Sequence, residues 1–496
     1  MKKIFFSSLM AFSVLTVLLP SCKKDYLETT PNSSVADQDL FKTTDNAWIA
    51  INGIHRSLYV QYNSRQDQGG QSKNMVDMDM LGEDLVNPTT GNGWFIATHR
   101  WLEHRNENSW TPYFNFQFYY DIIANANMII SNVDNAEGDE EDRKTIKGQA
   151  LAYRGWSYFQ MIQLYGKRYV KGGANDGLGL SLVLEPTTEK IARSSVAEVY
   201  AQIVTDLTSA ISNLDGAPNR SNRSHINVNV AKGMMARVAL AMQEWNTAAQ
   251  YANEARQGLS LMSNSQYMDG FNDYTNPEWM WGVHQVQDQT TYFYSFFAYM
   301  SADFNSTNIR GNPKSINSAL YDEIADTDVR KQLWDPTGAN TDFPTPPGGS
   351  RHPYMNRKFL SAGGSGSSIG DVVLMRVAEM YLIEAEALAR AGGQDAEAAQ
   401  ILFELASKRD PDYVLSTNTG QDLIDEIMIQ RRVELWGEGF RFYDLKRLNL
   451  SLDRTGANHS VAVASTMNVP AGDITWEFLI PRTELNSNEN AVQNPL

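Results

Sequence analysis

The sequence predicts a mainly α-helical protein, a scaffold of tetratricopeptide-like helical hairpins with long irregular loops and a few short strands. Two pairs of amphipathic segments carry the prediction: 230–242 with 247–257, and 372–391 with 395–408. Each pair is broken by a few residues, Glu244-Trp245-Asn246 in the first and Gly392-Gly393 in the second. The pairs are rich in alanine, as at Ala236, Ala239 and Ala241 before the first break and Ala248, Ala249, Ala252 and Ala255 after it. Small side chains let antiparallel helices approach closely, and a unit of about 34 residues is the tetratricopeptide period. A third observation is the change of character at 259–371, where Pro, Gly, Asn and Ser become frequent, and at 66–115, which is similarly irregular. Long loops in a helical scaffold are where function concentrates.

The chain begins with Lys2 and Lys3, an apolar run over 4–19, then Leu19-Pro20-Ser21-Cys22. A charged start and an apolar stretch too short for a comfortable membrane span describe a secretory leader. Cys22, the only cysteine in 496 residues, makes 1–21 resemble a lipoprotein signal whose +1 thiol is acylated, although Pro20 stands where a small residue is usual. Residues 22–496 are expected to form one domain. The full chain has net charge −16, and loss of Lys2 and Lys3 with the leader makes it −18. Such an acidic body is unsuited to nucleic acid, which selects basic stripes. With Cys22 acylated, neither disulfides nor a cysteine-ligated metal is expected.

Further helices and a strand follow from local pattern. Leu151, Gly155, Phe159, Ile162 and Tyr165 fall on one stripe of a helix over 146–165. Ser195 and Glu198 have capping-box spacing and open a helix through Tyr200, Ile203, Leu207 and Ile211. Segment 278–283 reads as a short strand, and 337–350 and 361–370 as loops. Trp48, Trp156, Trp245 and Trp436 sit within helical patterns or hairpin turns and are expected in the core.

Catalytic patterns are weak. Histidines 55, 99, 104, 225, 284, 352 and 459 make no short metal-ligand spacing. Gly366-Ser367-Ser368-Ile369-Gly370 has the letters of a nucleophile elbow, but Ser361-Ala362-Gly363-Gly364 precedes it where a buried strand belongs. Asp77 with Asp79, or Glu83 with Asp84, offers paired carboxylates of the glycosidase kind, yet in so acidic a chain such pairs are ordinarily solvated. The sequence is read as a non-enzyme without cofactor or metal.

The C-terminal third is the most specific part. Gln430-Arg431-Arg432-Val433-Glu434-Leu435-Trp436-Gly437-Glu438-Gly439, continuing to Arg441, Asp444, Leu445 and Arg447, strongly resembles the signature block of the SusD/RagB family, with Gln430 in place of its first glutamate. Blocks at 148–168, 193–214, 374–387 and 480–495 agree in order. The resemblance implies an outer-membrane lipoprotein facing the cell exterior, which binds oligosaccharides and delivers them to a SusC-like TonB-dependent transporter. An oligopeptide-binding lid of the same transporter type is the alternative, and a surface glycosidase a more distant one. From the residues alone, Arg431 and Glu434 are spaced to pair along one helical face, with Gly437 and Gly439 releasing the backbone.

Sugars bind to exposed aromatic planes flanked by carboxylates, amides and guanidinium groups. Segment 91–110 has that composition, and its Trp94, Trp101 and Trp110 with His99, Arg100 and the nearby Asp79 form the expected ligand surface. Tyr292 and Tyr294, in the second irregular region, are the second choice. The competing expectation is that Trp94 and Trp101, seven residues apart, pack into the core.

Overall fold

The structure is a computed structural model that describes residues 40–218, 222–289 and 293–496. Cys22, with the leader around it, and Tyr292 lie outside those residues. The helices that shape the scaffold are α1 (Thr44–Ser57), α2 (Gln71–Met80), α3 (Trp110–Asn132), α4 (Glu140–Tyr165), α5 (Val196–Leu214), α6 (Val228–Ala241), α7 (Trp245–Arg256), α8 (Val377–Ala391), α9 (Asp395–Arg409), α10 (Gly420–Glu434) and α11 (Arg441–Arg447). Each of α3 to α8 packs on the next, and α8 also packs on α9 and α10, giving the expected stack of hairpins.

Local chemistry explains the joints of this stack. The capping box forms as read: Glu198 N–H donates to Ser195 Oγ at 3.2 Å, and Ser195 N–H to Glu198 Oε2 at 2.7 Å. Helices α4 and α5 approach so closely that a Cβ on Gly148 would stand 2.7 Å from Leu214 Cγ. A buried Arg154–Asp206 pair at 2.6 Å fixes their register. Between α6 and α7, Ala248, Ala252 and Ala255 are fully buried, which is why the alanine-rich pattern reads as tight packing.

The chain between α7 and α8 leaves the stack and returns, while those two helices still pack together. This excursion supplies Trp279–Val283, the expected strand, which pairs antiparallel with Val372–Arg376. It also completes a four-stranded sheet in the order Leu85–Val86, Ser315–Ile316, Met355–Asn356, Trp334–Asp335. That sheet ties the two irregular regions to each other.

Two local expectations change. The helix expected over 372–391 begins only at Val377, because the β-branched start of that run pairs with Trp279–Val283 and Arg376 is extended. The irregular stretch 66–115 contains α2, whose ten residues are all buried, the polar Gln71, Lys73, Asn74, Asp77 and Asp79 included. A helix enclosed on every side has no amphipathic stripe, so periodicity does not announce it. At 361–370 the chain is irregular with one tight turn at Gly364–Gly366, and its strand follows Ser368 rather than preceding it, the reverse of a nucleophile elbow. Trp156 and Trp436 are in the core, and Trp48 and Trp245 pack half-buried at its edge.

The signature block folds into a buried ionic cluster. The expected Arg431–Glu434 pair is replaced by longer-range partners: Arg431 Nε meets Asp444 at 2.7 Å, and Glu434 receives Arg376 at 2.6 Å, Arg409 at 3.0 Å and Arg330 at 3.1 Å. Glu278 shares Arg376 and Arg409, Glu438 shares Arg376 and Lys358, and Asp328 holds Arg330. Burial pushes Glu434 upward, but the three guanidinium groups outweigh it and hold the carboxyl well below the usual range. Gly437 and Gly439 have φ of 80° and 86°. A Cβ on Gly439 would stand 2.7 Å from Met75 Cα, so this turn brings the cluster against α2.

Candidate functional site

A groove of about 530 Å³ opens where the loop before α2, the segment around Trp94 and the start of α3 meet. Phe95 adopts a left-handed conformation (φ 61°) and turns the chain into the short helix Ile96–His99. Phe95 itself is buried, while its neighbour Trp94 is half-buried and lines the groove, edge-on to Tyr299 at 6.0 Å. Opposite, Ser109 caps α3 by accepting from Thr111 N–H at 3.3 Å, which places Trp110 on the first turn, 45% exposed.

The charged groups of the groove are paired with one another or with a neighbour. Arg65 makes two 3.0 Å bonds to Asp67 and lies over the Trp110 ring at 5.1 Å. Lys73, on the first turn of α2, reaches Asp77 at 2.8 Å and Thr111 Oγ1 at 3.3 Å, with its ammonium 5.2 Å from the centre of the Phe95 ring. Glu103 accepts from the Ser109 hydroxyl. Burial raises the Asp77 carboxyl to about 6 against the pull of Lys73. The result is two aromatic planes with both cations between them matched by a carboxylate and Glu103 held by a hydroxyl, and with Ser64, Gln66 and Asn106 among the lining residues.

Of the residues expected to form the ligand surface, the structure brings Trp94 and Trp110 into one groove and places four others elsewhere. Trp101 is 6% exposed, donates its indole N–H to the Leu81 carbonyl at 3.1 Å and packs edge-on against Trp476 at 4.8 Å. It is a core residue. His99 is fully buried, with Nδ1 3.0 Å from the Met80 carbonyl and its ring stacked on His459. Burial and the neighbouring Arg454 hold its imidazole well below the usual value. Asp79 is buried and accepts from Gly439 N–H at 2.8 Å; burial raises its carboxyl to about 8. Arg100 clasps the carbonyls of Val463 at 2.9 Å and Ala462 at 3.1 Å. All four are held by the fold: His99, Arg100 and Trp101 because 96–104 turns inward after Trp94, and Asp79 because it lies on the enclosed helix α2. Tyr294 is half-buried with its carbonyl against Gly69, beside the groove's loop.

The paired carboxylates are not solvated as expected; they are enclosed. Asp77 faces Lys73, Glu83 pairs with Arg441, and Asp84 bonds to Arg432 at 2.5 Å. Among the described residues no three His, Cys, Asp or Glu side chains are grouped to hold a metal ion. Arg65, Asp67, Lys73 and Glu103 escaped the sequence reading. Only the i,i+4 spacing of Lys73 and Asp77 was there to be seen.

Comparison with known proteins agrees with this architecture. A family profile described as the SusD family matches residues 239–496, and one described as starch-binding associating with outer membrane matches 25–240. The chain belongs to the SusD/RagB family. It is 23% identical over 487 residues to SusD-like protein P38 of Formosa agariphila, covering 88% of this chain and 90% of that one. The starch-binding protein SusD of Bacteroides thetaiotaomicron is 33% identical over 131 residues, 25% of this chain and 21% of that one. A SusD-like carbohydrate-binding protein from Bacteroides vulgatus superposes with a TM-score of 0.79 at 26% identity, covering 91% of this chain and 98% of that one.

Proposed function

We propose that this protein is a cell-surface lipoprotein that binds neutral oligosaccharides in the Trp94–Trp110 groove without cleaving them. It passes them to a SusC-like TonB-dependent transporter in the outer membrane. The observation that carries the reading is the presence of two accessible indoles beside cations that are already matched by a carboxylate, Arg65 by Asp67 and Lys73 by Asp77. Ring faces take the C–H faces of sugars, while hydroxyls find amides and carbonyls at the rim. A peptide would bring charged termini to a groove whose own charges already face a partner. The carbohydrate-binding names of relatives at 33% and 26% identity support the same reading, and the outer-membrane association in the name of the profile over 25–240 supports the location. Among the described residues no helix is long and apolar enough to cross a membrane, and Cys22 supplies the anchor by acylation.

Calorimetry of the soluble domain against neutral, uronic and sulfated oligosaccharides tests the binding. Neutral chains should bind, and Trp94→Ala or Trp110→Ala should weaken them roughly two- to tenfold each. Tighter binding of anionic chains or of peptides would overturn the reading, as would new reducing ends after long incubation. Fatty-acid labelling of cells tests the anchor: Cys22→Ala should lose the label and the membrane attachment together.

A further inference from the structure

A second hollow, of about 460 Å³, lies further along α3. Its floor is made by Tyr113, Phe116, Gln117, Tyr120 and Asp121, spaced i, i+3, i+4, i+7 and i+8. That spacing normally describes the stripe a helix turns toward a core. Here Tyr113, Phe116, Gln117 and Tyr120 are half-buried and Asp121 is exposed, and the stripe faces a cavity whose other wall is mixed, with Glu189, Lys190 and Glu484 beside Val183 and Ile191. The rings are held in place. Phe116 and Tyr120 pack together with centroids 4.6 Å apart, and the Tyr120 hydroxyl donates to the Ser181 carbonyl at 2.9 Å.

The hollow is continuous with the groove in two ways. The Trp110 and Tyr113 rings meet edge-to-face at 5.7 Å, so the aromatic surface passes from one depression to the other. The loop bearing Arg65 and Asp67 is tied to the hollow through Asn63 Nδ2, which donates to Gln117 Oε1 at 3.1 Å. From Trp110 to Tyr120 the helix advances ~15 Å at its usual rise per residue, a distance that several sugar units of one chain would span.

We propose that this hollow is a second subsite, which takes the outer units of the same neutral oligosaccharide whose inner units stack on Trp94 and Trp110. The inference rests on the groove reading. The aromatic floor would receive sugar ring faces, while Gln117, Asp121 and Glu189 bond their hydroxyls. The groove alone would bind short chains, and affinity would rise with chain length as units reach α3.

The test compares trisaccharides with heptasaccharides of the malto-, laminari- and cello- series by calorimetry, in the unmodified domain and in Tyr113→Ala and Asp121→Ala. Tyr113 is outside the hydrophobic core and Asp121 is exposed, so both variants are expected to fold. The unmodified domain should prefer the longer member of the series it binds. Both variants should lower that preference, Tyr113→Ala by roughly two- to tenfold, with trisaccharide affinity unchanged. A length preference that survives in both variants overturns the second subsite and leaves the groove standing. Equal loss for short and long chains in Tyr113→Ala would mean that Tyr113 serves only to support Trp110, and also overturns it. If no chain binds the unmodified domain, the groove reading itself falls and takes this inference with it.

Discussion

The ionic cluster around Glu434 and the groove around Trp110 are built from the same side-chain types, and they do opposite things. Both combine guanidinium groups, ammonium groups, carboxylates and aromatic rings. In the cluster, Glu434, Arg376 and Arg409 are fully buried and each meets at least two opposite charges. Four acids (Glu278, Asp328, Glu434, Glu438) balance four bases (Arg330, Lys358, Arg376, Arg409). In the groove, Arg65 and Asp67 pair at 37% and 24% side-chain exposure and leave the Trp110 face beside them partly open. Enclosure converts charge into a scaffold joint, because removing any partner strands a desolvated ion. Partial exposure leaves charge cheap to rearrange and rings free to meet a ligand. Charged and aromatic composition alone therefore does not mark a binding site.

The comparison breaks most sharply at Glu434. Glu434→Ala leaves four buried bases facing three acids, Glu278, Asp328 and Glu438, and this one uncompensated buried charge should cost about 3–5 kcal/mol of stability in denaturant titrations. A loss below about 1 kcal/mol would mean that the cluster rearranges like a surface network. The two tryptophans give the next contrast. Trp101→Ala should lose about 3–5 kcal/mol as a core cavity, whereas Trp110→Ala should keep its melting temperature and lose only oligosaccharide affinity.

The two regions should also titrate with opposite sign. Burial raises Asp444, beside the cluster, but Arg431 and Arg447 outweigh it and hold the carboxyl at about 2. That value lies below the unfolded one of about 3.9, so its stabilisation is present above about pH 4 and lost as pH falls toward 2. Asp77 at the groove is raised to about 6. The folded state then holds its proton longer, and stability falls as pH rises from about 4 to 6. Melting temperature against pH should show a shallower acid limb in Asp444→Asn and the loss of the higher-pH decline in Asp77→Asn. The same slope in both variants would refute the contrast. The smallest effect is expected at Gln430→Glu, which restores the family glutamate 2.5 Å from Arg330. Asp328 already neutralises that arginine, so the change should stay within about 1 kcal/mol in the same denaturant titrations.

The α-helical hairpins, the capping box at Ser195, the strand at Trp279–Val283 and the family block were all legible in the sequence. Each is a local pattern, a period or a spacing imposed by backbone geometry, and the chain has no choice but to display it. Which of Trp94, Trp101 and Trp110 faces out was not legible, since all three share one irregular segment and one composition. The left-handed turns at Phe95 and Trp101 and the docking of Trp476 settle it, and the residues concerned lie as far apart as 95 and 476. Helix α2 was equally silent, because its polar residues are satisfied by α3, α11 and the 439 turn rather than by solvent. The sequence by itself determined the hairpins, the acidic body and the family. Only the tertiary structure decided which charges are enclosed and which rings stay open, because burial depends on contacts between segments hundreds of residues apart.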